Sequence, residues 1–280
     1  SKNGTNKRHH PPSTMTTRAS KVFAIHRFIA FATGATMLFF AEEATTGFST
    51  GSNPATFHDT VVCRSCSASI LCLSLLVHTA IRFSPAEKDT IARCMLVSFL
   101  AVAAVFARLS DTGPLSEADR IALVSSTAAF AGLAMAYAWA CWDPRIVRNM
   151  ESPAPSALSP AFGFHNAVGF ASGSLSLLYP AGFYELPQKY LSLSMDASPT
   201  TNELVLVSMW GGFILNFSLV AGRAPRFSLR SQRIFAQIMV IQFIGLTLLY
   251  AFYWDRLNDI YKYGGVPPFL CCAGFYVYGL

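Results

Sequence analysis

The chain has 280 residues; 52% are hydrophobic and 13% are charged, about half the charged share usual in soluble domains. Its formal net charge is +6, and no acidic residue precedes Glu42. This balance excludes a soluble globular domain and predicts an integral membrane protein.

Residues 1–20, SKNGTNKRHHPPSTMTTRAS, form a basic polar tail rich in Ser and Thr. That composition suits an organelle-targeted or stroma- or matrix-facing segment rather than a cleaved secretory signal. The first residue is Ser1, which predicts either a mature form or a true start at Met15. The basic run KRHH is too short for nucleic-acid binding, and contact with anionic lipid is expected instead.

A spanning helix needs about 20 mostly apolar residues. That rule places spans at roughly 22–41, 61–82, 90–108, 121–142, 161–183, 203–222 and 233–254. An eighth segment, near 265–280, is short by the same rule and holds Pro267 and Pro268. The expected fold is therefore all-α, a polytopic transmembrane helical bundle of seven to eight helices.

The first span opens with HRFIAFATGATMLFF, 26–40, and the fifth with HNAVGFASGSLSLLY, 165–179. His26, Phe31, Ala32, Gly34 and Leu38 match His165, Phe170, Ala171, Gly173 and Leu177 at an offset of 139. RFS at 82–84 recurs at 226–228, and Ala92, Met95 and Phe99 match Ala236, Met239 and Phe243, now at an offset of 144. Two echoes in the same order predict two four-helix repeats in parallel orientation. The expected organisation is a tail (1–20), a first four-helix unit (21–142), a Pro- and Ser-rich linker (143–160) and a second unit (161–280) with a shortened last helix.

Loop charge orients this map. The N-terminal side collects fifteen basic residues and four acidic ones, for a net +11; the other side sums to −5. Basic loops stay on the side of synthesis, so the N-terminus is expected on the stroma or matrix side.

The repeated phrase carries the candidate site. His26, Ala30 and Gly34 lie four apart and share one helix stripe, as do His165, Gly169 and Gly173. The bland reading is close helix packing through Ala30, Gly34, Gly169 and Gly173, with the first span set against the fifth. The sharper reading is a haem or chlorophyll lying on the small residues, with His26, His78 and His165 as ligands near one membrane face. The seven cysteines read as free thiols; CRSC, 63–66, has no second CxxC to complete a metal set. Near the membrane midplane only Asn216 and Gln242 are polar.

No phosphate loop, nucleophile–His–acid set or HExxH motif appears. The function expected first is a non-catalytic multi-pass subunit of a larger energy-converting complex, in thylakoid or mitochondrial inner membrane. Its partners would be other membrane subunits and bound lipid. A haem- or chlorophyll-binding membrane protein and a pore or carrier built on the repeat are the alternatives.

Overall fold

The computed structural model describes residues 17–48, 55–112, 117–142, 156–194 and 198–280. Most of the expected tail and of the expected linker lies outside the described residues.

Among the described residues ten α-helices follow one another: α1 (Arg18–Phe39), α2 (Ala41–Phe48), α3 (Phe57–Ala80), α4 (Pro85–Thr112), α5 (Glu117–Cys141), α6 (Ser159–Leu178), α7 (Gly182–Leu191), α8 (Thr201–Arg223), α9 (Leu229–Phe252) and α10 (Asp259–Gly279). Among the described residues there is no strand. Six helices, α1, α3, α4, α5, α8 and α9, are long and apolar enough to cross a membrane. By length and composition the protein is a multi-pass integral membrane protein.

α6 and α10 have 20 and 21 residues, but neither is among those six. Gly, Ser, His and Asn dilute α6, and Lys262, the prolines and the tyrosines dilute α10. The last helix also starts earlier than its apolar run suggests. Asn258 caps it, accepting from Tyr261 N at 3.2 Å, so the helix forms through Pro267 and Pro268 to Gly279. A side-chain acceptor at the N-cap satisfies an otherwise orphaned backbone donor. Thr17, Thr56, Ser84, Thr200 and Ser228 do the same for α1, α3, α4, α8 and α9.

Packing sorts the helices into layers. The apolar windows of α3 and α8 are each 78% buried, against 33% for α1 and 17% for α5, which puts α3 and α8 at the centre. α1 packs on α3, α6 on α8, α4 on α5 and α9 on α10; α3, α4, α8 and α9 join the two halves of the chain.

Two carboxylates stitch those halves together at opposite ends of the bundle. Asp59 closes the capping box of α3 on Thr56 and also accepts from Thr200 Oγ1, the cap of α8, at 2.6 Å. Glu87 accepts from Ser84 N at 2.8 Å and from Ser228 N at 2.7 Å, bridging the starts of α4 and α9. The RFS phrases are the turns before those two helices, and Phe83 and Phe227 meet edge to face with ring centres 6.4 Å apart. The two midplane amides also cross between halves. Asn216 on α8 donates to Ser98 on α4 at 2.6 Å, and Gln242 on α9 donates to Ser69 on α3 at 3.3 Å.

Candidate functional site

The three histidines do not converge. His26 is buried and its Nδ1 meets the Tyr137 hydroxyl at 2.5 Å. His165 is buried and its Nδ1 meets the Tyr276 hydroxyl at 2.6 Å. His78 is exposed, with Nδ1 taking a hydrogen bond from Arg27 Nη1 at 3.0 Å. Arg27 and His26 are consecutive on α1 and so point roughly 100° apart. His26 therefore faces α4 and α5, His165 faces α9 and α10, and His78 sits apart on the outer surface.

Each buried histidine lies in a matching aromatic setting. His26 meets Phe99 edge-on at 5.5 Å and 68°; His165 meets Phe243 at 5.3 Å and 65°. Phe23 tilts against Tyr137 at 6.0 Å, and Phe162 against Tyr276 at 5.7 Å. Phe130 lies 5.9 Å from Phe99, and Phe269 lies 6.3 Å from Phe243. The two histidine–tyrosine pairs each span 111 residues. That equal spacing is readable in the numbering and is the signal that marks Tyr137 and Tyr276, which the phrase-by-phrase reading of the sequence passed over.

The small-residue stripe packs within each half rather than α1 against α6. A Cβ on Gly34 would lie 2.8 Å from Leu71 Cγ and 3.2 Å from Leu71 N, and Ser67 Oγ on α3 donates to Gly34 O at 2.6 Å. A Cβ on Gly173 would lie 2.7 Å from Leu215 N and 3.0 Å from Gly211 O of α8. On Gly169 it would lie 2.9 Å from Ser218 Cβ and 3.1 Å from His165 Cδ2. Ala30 is buried on the same face of α1. Glycine lets two helix backbones touch, so each copy of the phrase packs on the next long helix of its own half.

The thiols are spread through the bundle. Cys63 and Cys66 donate weakly to Met37 O at 3.9 Å and to Leu206 O at 3.3 Å, and Cys272 lies on α10. No group of three or more His, Cys, Asp and Glu able to hold a metal occurs among the described residues.

The two halves differ beside their histidines. A cavity of about 220 Å³ lies between α6, α8, α9 and α10, with His165 in its wall. At the offset of 139, Met37 and Leu133 of the first half stand where Ser176 and Cys272 line that cavity.

Each hydrogen-bonded pair holds two buried polar groups that have no other partner among the described residues. Replacing Tyr276 by Phe is expected to lower stability by about 1–2 kcal/mol, since the imidazole loses its partner without loss of volume. Tyr137→Phe should cost a similar amount. Thermal unfolding of the detergent-solubilised variants measures both; a change in neither would deny the pairs any structural role.

No protein-family model matches the chain, and no curated protein or solved structure matches it.

Proposed function

We propose that the protein is a non-catalytic, multi-pass accessory subunit of a larger energy-converting membrane complex, built as two four-helix units in parallel orientation. The observation that carries the docking role is the outer face of α5. Ser125, Ala128, Ala129 and Gly132 recur at i, i+3, i+4 and i+7, so they share one side of the helix. The first three are exposed, and nothing lies within 4 Å of a Cβ placed on Gly132. Bulky Ile121, Val124 and Met135, 61%, 53% and 69% exposed, flank that small-residue track. Within a membrane, such a track is what a neighbouring helix packs into. The repeat is supported by the paired histidine settings and by the pairing of caps and carboxylates across the halves.

The compartment proposed is an organellar membrane, thylakoid before mitochondrial inner membrane, with the N-terminus on the stroma or matrix side. The acid-free, Ser- and Thr-rich tail and the asymmetry of loop charge support it.

Gly132→Leu tests the docking face without disturbing the fold, because its side chain enters open space. In membranes solubilised with digitonin, the wild-type chain is expected to migrate in an assembly several times its own 30.4 kDa. The variant should run free while keeping its melting temperature. Wild-type protein that runs alone under those conditions would overturn the reading.

A further inference from the structure

We infer that the cavity of the second half is a binding site for a membrane-dissolved quinone-type ring, entered sideways from the bilayer between α6 and α10. Three observations combine.

The first is unmade hydrogen bonding. His165 is 5% exposed; its Nδ1 is taken by Tyr276, and its Nε2 has no partner among the described residues. Ser176, 2% exposed and on the same wall, has a hydroxyl that likewise makes no hydrogen bond there. Buried polar groups are normally paired, so two unpaired groups on one cavity wall mark a missing partner. The spacing of His165, Gly169, Ser172 and Ser176 places them on one face of α6. Gly169 keeps the imidazole edge uncovered, since any Cβ there would crowd Cδ2.

The second is shape. The remaining walls are mainly aromatic, among them Phe217, Phe243, Phe269 and Tyr250. Aromatic walls favour a flat ring through offset or edge contacts. At about 220 Å³ the cavity is smaller than the roughly 300–1,000 Å³ of sites for drug-sized ligands. It suits one ring, with any tail left outside.

The third is the opening. Three lining residues, Val168 on α6 and Gly264 and Pro268 on α10, are exposed. They lie on the apolar flank of the bundle, where α6 and α10 touch only lightly. Nothing lies within 4 Å of a Cβ placed on Gly264, so the mouth is unobstructed there. A ligand reaching this mouth comes from lipid and must itself be lipid-soluble.

The unpaired polar groups of α6 stand at the two ends of this wall, so the ring should carry oxygen. A carbonyl oxygen would accept from Ser176 O–H, and in the reduced form a ring hydroxyl would donate to His165 Nε2. A plain hydrocarbon leaves all of these unpaired, which costs the desolvation of each. This inference concerns the second half alone and does not depend on the docking face of α5.

The test measures binding of tritiated decylubiquinone to the full-length protein in nanodiscs, relative to empty nanodiscs. Saturable binding is expected. Gly264→Leu, which fills the mouth without touching the core, should weaken it at least tenfold at an unchanged melting temperature. Ser176→Ala should weaken binding of the oxidised probe. Decylbenzene, which lacks the oxygens, should not compete. Absence of saturable binding, or equal binding to Gly264→Leu, overturns the site. Full competition by decylbenzene overturns the quinone class and leaves an acyl chain as the occupant.

Discussion

Alanine at Gly211 is expected to be the most damaging single-methyl substitution in the protein. Its Cβ would lie 2.5 Å from Leu177 N and 2.8 Å from Gly173 O, both backbone atoms of α6. Backbone cannot rotate away as a side-chain tip can, so α6 and α8 would have to separate along their contact. Overpacking a close-packed interior usually costs about 1–3 kcal/mol, and a contact between two backbones belongs at or beyond the upper end. Gly173→Ala, meeting Leu215 N and Gly211 O, should behave alike. Gly245→Ala and Gly274→Ala are the controls, because nothing lies within 4 Å of a Cβ at either. Folded yield and melting temperature in detergent read the difference. Equal stability across the four variants would show that the glycines do not set the α6–α8 distance.

The second large effect is expected at Glu203. Its Oε1 accepts from the Tyr184 hydroxyl at 2.8 Å and from the Tyr261 hydroxyl, and the two phenols are themselves 2.8 Å apart. All three residues are buried, so α7, α8 and α10 are tied through one carboxylate oxygen. Glu203→Ala leaves the two phenols only each other, with one hydroxyl proton lacking an acceptor, and should cost about 3 kcal/mol. Glu203→Gln keeps an acceptor and should recover part of the loss. A melting temperature unchanged in Glu203→Ala would remove the network from the account of stability.

The same cluster predicts an alkaline limit. Burial, and after it the charge of Glu203, raises the Tyr184 phenol well above its usual value. A raised phenol contributes its full stabilisation below the ordinary tyrosine pKa of about 10 and loses it as pH climbs beyond that. Melting temperature should therefore fall above that pH, and Tyr184→Phe should flatten the fall.

Much of the architecture was legible without coordinates. Helix type and membrane residence follow from composition, since a backbone in lipid must satisfy its own hydrogen bonds. The RFS echo proved to be a pair of turns, and Phe99 and Phe243 proved to flank the two histidines. Other features were hidden for identifiable reasons. The start of α10 was missed because its first turn is polar and its cap, Asn258, precedes two prolines. Asn216 and Gln242 stood out as polar residues of apolar spans, and both donate to serines of the opposite half. A polar residue in a span must find a partner, and sequence does not say which helix supplies it.

By itself the chain's order of residues determined that there would be helices, where most of them run, and that the phrase around each histidine comes twice. Those are properties of local pattern and of transfer from water to lipid, which each segment settles alone. The tertiary structure decided that Tyr137 and Tyr276 meet the histidines, that each stripe packs on its own neighbour, and that a cavity opens beside His165. These depend on which side chains from distant segments share a volume. Ser176 and Cys272 carry no signal in the sequence alone, and between packed helices they line that cavity with His165.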